Sequence, residues 1–183
     1  MTTHLGNYTV TAENALSFPA ITEFYGHLTI AAGATLIAPS LVSVRGWVTI
    51  KEGASLFAPV LGKIDGWLTI HIDGYMKAEH LTEVRNDLTL HLSANLANEA
   101  LTSVGSINIL RDVKGGTANA LKEVRESLTL GAGAKFSAPL LERVGKSITL
   151  REHARLDTPE LSHIGGYADI DESAVLLAPR FLS

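Results

Sequence analysis

The chain contains no cysteine, so neither a disulfide framework nor a thiolate centre is available to it. Aromatic residues are scarce at 6%, with only two tryptophans, so any grouping of them is a local event. No apolar run approaches the ~18 residues of a membrane-spanning helix. The opening segment MTTHLGNYTV lacks a basic stretch followed by an apolar one, so no secretory signal is expected. A formal net charge of −4 argues against a nucleic-acid binder, which needs a basic face, and is too mild for a strongly acidic DNA mimic. A soluble, cytoplasmic protein is expected.

Proline is scarce too, and its six copies are ordered. Pro19, Pro39, Pro59, Pro139, Pro159 and Pro179 all stand at one phase of a 20-residue ruler. An internal period of that length signals a solenoid. Units such as Leu41 to Val60, LVSVRGWVTIKEGASLFAPV, share the pattern L-x-x-V-x-G-x-L-T-I-x-x-G-A-x-L-x-A-P-x. Positions 8 and 10 are apolar around a polar residue, as in Val48-Thr49-Ile50, which reads as a strand with one buried face. Positions 14, 16 and 18 repeat the alternation with Ala54, Leu56 and Ala58. A short third side runs through L-x-x-V. Spacings of two dominate and no turn-free stretch is long enough for a helix.

The expected fold is therefore all-β, a single-domain parallel β-solenoid of about nine coils. Coils should stack at roughly 4.8 Å, and the crossover rule predicts a right-handed winding. The six-residue pattern of left-handed helices is absent. Residues 1–20 form a degenerate first coil or cap, with Met1 and His4 at normally apolar positions; 21–180 are regular; 181–183 are a remnant. Phe181 and Leu182 are expected either to fold over the last coil or to join two chains end to end. Glycines at position 6 (Gly26, Gly46, Gly66, Gly166) and position 13 (Gly33, Gly53, Gly133) suit corners needing φ > 0, with Asn86, Asp73 and Ser93 as substitutes. Proline at position 19 marks a corner, since it cannot donate to a ladder.

Leu41-x-x-Val44-x-Gly46-x-Val48-x-Ile50 and its copies, including Leu101-Thr102-Ser103-Val104-Gly105, resemble the leucine-rich and receptor L-domain type of repeat. They are similar in particular to the short repeats of bacterial and phage solenoid proteins. The resemblance covers nearly the whole chain and implies a solenoid whose surface binds proteins or glycans. It carries over no individual residue, and the disulfides and fuller caps of the receptor domains are lacking.

Several outward rows are candidates for chemistry. The threonines of position 9 (Thr9, Thr29, Thr49, Thr69, Thr89, Thr129, Thr149) are a structural ladder rather than an ice-binding face, because the flanking columns are mixed. His27, Trp47 and Trp67 share position 7 in consecutive coils, and Tyr25, Arg45, Asp65 and Arg85 share position 5. Ile37 and Phe57 lie outward on the next face. Trp and Arg together in solvent mark an interaction surface, the alternative being cross-strand packing over a corner. His71 and His91 share position 11, with no further ligand that would make a metal site. The sixth unit breaks the ruler, losing a residue before Ile107 and regaining one in LRDVKGGTANA, so Arg111, Asp112 and Lys114 form a candidate loop site. No acid cluster or Ser/His/Asp grouping is present, so no catalytic residue, metal or cofactor is assigned. A non-enzymatic protein-binding solenoid is expected, with a phage or bacterial inhibitor or adaptor as its role. The alternatives are a glycan-binding module using the stacked aromatics and, third, a polysaccharide-processing β-helix enzyme.

Overall fold

The computed structural model describes residues 2–13, 17–113 and 116–181. It is an all-β parallel solenoid of about nine turns of about 20 residues, with no helix among the described residues. Each strand pairs in parallel with the strand one period away. Val48, Leu68 and Leu88 stand opposite one another, as do Leu36, Leu56 and Met76. Two faces, built from positions 3–4 and 8–10, join in a 16-stranded sheet. The third face, positions 15–17, forms two 4-stranded sheets.

The core is a set of stacked rows. Phe24, Val44, Ile64 and Val84 come from the first face, Leu28, Val48 and Leu68 from the second, and Leu36, Leu56 and Met76 from the third, and each is fully buried. Alternation with period two directs these side chains inward from three sides, and each buried Leu or Ile contributes about 1.5–3 kcal/mol.

Two of the corners are hydrogen-bonded turns. The Leu61 N–H donates to the Ala58 carbonyl at 3.0 Å, so Pro59 takes the second turn position, where a fixed φ is pre-set. The Ala54 N–H likewise donates to the Lys51 carbonyl at 3.0 Å, with Gly53 third in the turn at φ 62°. Asp73, Ser93 and His153 take the same left-handed conformation, φ 54–57°, at the matching place in their coils.

The position-6 glycines obey a different constraint. Gly46, Gly66 and Gly166 do not have φ in the left-handed range, and neither does Asn86. Successive coils instead approach backbone to backbone here. A Cβ on Gly66 would lie 2.6 Å from the Gly46 carbonyl oxygen, and one on Gly166 2.6 Å from that of Lys146. Among them only Gly26 meets both conditions, with φ 146° and no room for a Cβ beside the Gly6 carbonyl.

At the first coil His4 stacks on Phe24 (centroids 4.4 Å, 17°) and meets Tyr8 edge-on at 5.5 Å, so aromatic rings cover this end of the core. At the other end Ala168–Ile170 is exposed along its length and pairs only with Ile148–Leu150. Phe181 closes a corner turn onto the Ala178 carbonyl and is 39% exposed. Met1 and Leu182 lie outside the described residues.

The two glycine constraints separate by mutation. Gly53→Asn should change stability by no more than about 1 kcal/mol, because Asn tolerates the left-handed region and no atom crowds the site. Gly66→Ala should cost roughly 1–3 kcal/mol through the backbone collision. Urea unfolding compares them, and equal losses would contradict the distinction.

Candidate functional site

The corner between the first and second faces carries two parallel ladders. In the inner one, Arg45 Nη1 lies 3.3 Å from Asp65 Oδ2, while Lys63 Nζ and Arg85 Nη2 approach Asp65 Oδ1 at 3.3 and 3.5 Å. Asp65 is thus held by three cations. Lys63 also reaches Glu83 at 3.2 Å, and the Arg45 guanidinium sits 5.5 Å from the centre of the Tyr25 ring. The Tyr25 phenol and the Asp65 carboxylate both raise the Arg45 pKa above its ordinary value. Alternation of sign down the ladder is the arrangement that close cross-strand neighbours require.

The outer ladder is a stack of rings. Trp47 and Trp67 lie parallel within 7°, centroids 4.7 Å apart, and His27 stacks on the other face of Trp47 within 6°. The Trp47 backbone N–H donates to His27 Nδ1 at 3.3 Å, and the absence of a side chain on Gly46 leaves room for that imidazole. Trp47 is sandwiched and half-buried, whereas Trp67 is 41% exposed. The repeat phase alone implies that both tryptophans stand in solvent; the stack shields the inner one. Tyr25, His27, Arg45, Trp47, Asp65, Trp67 and Arg85 are brought to one corner. Phe57 is not, since Ser55–Phe57 belongs to the third face, where its ring packs 5.6 Å from Tyr75.

Beyond Trp67 the stack stops. Asp87 takes the next place, followed in register by Ser106. Between Val84 and Asp87 the register shifts, so the sixth coil turns this corner with Gly105 where the fifth uses Arg85 and Asn86. A Cβ on Gly105 would lie 2.5 Å from the Asn86 carbonyl oxygen, so the two coils meet here backbone to backbone. Arg125 reaches back across the shortened corner. It donates to Glu83 Oε1 (3.2 Å), Ser103 Oγ (2.7 Å) and the carbonyls of Val84 and Arg85 (3.2 and 2.5 Å). The repeat pattern marks neither Arg125 nor Asp87; a one-residue deletion followed by arginine at position 5 is the available signal.

The residue lost at this corner is regained on the third face. Asp112 is the left-handed corner residue of the sixth coil (φ 57°), and Arg111 lies 3.7 Å from it as an exposed ion pair. Lys114, the third loop candidate, lies outside the described residues. Gly116 stands where other coils place Leu, and Phe136 leans over it, with 3.0 Å between the Phe136 ring and a Cβ added there. Among the described residues no pairing joins Asn95–Ala97 to Gly116–Thr117, and a cleft of about 130 Å³ remains between them.

His71 and His91 stack at 4.5 Å. Burial lowers both pKa values below the ordinary one, joined at His71 by the His91 charge and at both by Lys51. Among the described residues, no group of three or more His, Asp or Glu side chains is placed to hold a metal ion. No described helix is long and apolar enough to cross a membrane. The chain matches no family model, no curated protein and no solved structure.

Two outcomes are expected. Arg125→Ala should destabilise by about 1–3 kcal/mol, and Arg125→Lys should recover little, because one ammonium cannot reach the same set of acceptors; urea midpoints measure both. The histidine pair should make stability pH-dependent. Its folded pKa values are depressed, so as pH falls the unfolded chain takes up protons first, from about 6.5 downward. Its stabilising contribution is complete above that value and is lost toward the folded pKa values. A His71→Gln/His91→Gln double variant should flatten the urea midpoint between about pH 7 and 5; an unchanged slope would remove the pair as the cause.

Proposed function

We propose that the chain is a non-enzymatic solenoid that binds another protein through the corner carrying the Trp47–Trp67 stack. The observation that carries this reading is the half-exposed Trp67 indole set beside the Arg45–Asp65–Arg85 ladder. Trp and Arg are the residue types enriched where binding energy concentrates, and here both are held by a rigid parallel sheet. The likeness of the repeat to short bacterial and phage solenoids supports an inhibitor or adaptor acting on a host factor.

Glycan binding is the second reading, because sugar rings pack on aromatic faces. It is favoured by the open face of Trp67 and weakened by Trp47, both of whose faces are already occupied. A polysaccharide-processing site would need a shared cluster of acids. Asp169 and Asp171 instead flank Arg151 at 3.3 and 3.9 Å, remote in the chain from Asp65 and Asp87.

Immobilised protein should capture a partner from native host lysate, and Trp47→Ala/Trp67→Ala should weaken that capture at least tenfold, as loss of a binding hot spot of about 2 kcal/mol implies. The variant's melting temperature shows whether the fold survives. Capture indifferent to the tryptophans, together with binding on a glycan array, would replace this reading with the second.

A further inference from the structure

The third face carries a cleft that opens into the core. One inward row runs through Leu36, Leu56, Met76 and Leu96 and resumes at Phe136 and Leu156, with Gly116 where its next leucine would stand. Phe136 leans over the gap without closing it, and about 130 Å³ stays open. Core residues beside the opening give up some of their burial. Leu90 is 6% exposed where Ile70 and Leu130 are at 0%, and Leu101 is 3% exposed where Leu81 and Leu121 are at 0%. An apolar void of about 150 Å³ lined by Leu, Ile and Phe is enough to take up benzene.

The mouth of the cleft has its own chemistry. In regular coils the N–H that ends the third face donates to the next coil: Ala38 to Phe57, Ala58 to Lys77 and Ala78 to Ala97, at 2.8, 2.9 and 3.1 Å. Asn98 stands next in that series, and the bond from its N–H to the Thr117 carbonyl is not made. The Asn98 side chain is already engaged. Its Nδ2 donates to the Ala78 and Leu81 carbonyls at 2.6 and 2.9 Å, and its Oδ1 accepts from the Leu101 N–H at 2.8 Å. The mouth thus holds one backbone donor and one backbone acceptor that pair with each other in the regular coils. Among the described residues no charged side chain lines the cleft.

We propose that this cleft binds a small uncharged molecule made of one apolar ring and a hydroxyl, of the phenol type. The ring fills the space that Gly116 leaves beside Leu90, Leu101 and Phe136. The hydroxyl accepts from the Asn98 N–H and donates to the Thr117 carbonyl, because one such group does both. Water can bridge the same two groups, but it leaves the apolar walls without packing partners. A carboxylate or an ammonium would be buried there without a counter-charge.

The test titrates phenol into the full chain carrying ¹³C-labelled leucine methyl groups. Saturable shifts of the Leu90 and Leu101 methyl signals are expected, with NOEs to the phenol ring protons and a dissociation constant on the order of millimolar. Gly116→Leu/Phe136→Leu gives the two coils the leucines of the regular row. It should weaken binding at least tenfold while the melting temperature holds or rises. Benzene, which lacks the hydroxyl, should bind about tenfold more weakly than phenol. The NOEs are read on the unaltered chain, so they locate the site even where the double variant fails to fold. No saturable shift, no NOE to either leucine, a folded double variant with wild-type affinity, or benzene binding as tightly as phenol overturns the inference.

Discussion

The structure depends on one constraint: each coil stacks by parallel strand pairing on a coil of the same circumference one period away. Parallel pairing at roughly 4.8 Å then puts like positions directly over one another. Apolar positions become continuous buried rows, and turn positions become columns of prolines and left-handed residues. The same stacking disfavours columns of like charge, and arginine, aspartate and arginine alternate through Arg45, Asp65 and Arg85, while Lys135 opposite Arg155 is tolerated on an exposed row. It also brings backbones close enough at Gly26, Gly46, Gly66 and Gly166 that a single methyl group does not fit against the preceding coil's carbonyl.

In the sixth coil that circumference is redistributed between two faces. Removing one residue at the first corner pulls that corner inward, and Arg125 bridges the gap with bonds to groups in the fifth and sixth coils. Restoring the residue on the third face keeps the total length constant, so the rows of the seventh coil return to register, with Leu128 opposite Ile148. The cost falls on the third face, where the ladder between Asn95–Ala97 and Gly116–Thr117 is not made. Phe136, larger than the Leu of its phase, occupies part of the space that Gly116 leaves. One compensated deletion thus accounts for both the recess beside Trp67 and the cleft opposite it.

The coil, its three sides and its buried rows are legible in the chain because they recur at fixed phase, and recurrence is what a single sequence can display. The corner prolines are legible for the same reason. Position-6 glycine reads wrongly as a left-handed corner because sequence does not distinguish a glycine needed for its φ from one needed for its lack of Cβ. Gly53 is the first kind and Gly66 the second. The exposure of Trp47 is overestimated from sequence because it depends on neighbours 20 residues away on both sides. Arg125 escapes the pattern because its acceptors at Val84 and Arg85 lie 41 and 40 residues back, brought within reach only by the shortened corner.

In a rod built from repeats, recognition is most readily found where a row terminates. Within a row each side chain is satisfied by its copies above and below, as Trp47 is by His27 and Trp67, and little binding capacity remains. At the end of a row that partner is missing while the geometry that would have held it persists. The indole face of Trp67 is oriented by the stack behind it, and backbone lies beside it at Gly105, so this end of the row is held in place by the rod itself. A repeat interrupted in mid-rod therefore makes two such ends without exposing the core to them. The interruption at Gly105 falls two coils beyond Trp67, and the cleft between them is lined by that open indole face, by Asp87 and by the Arg85 and Arg125 side chains.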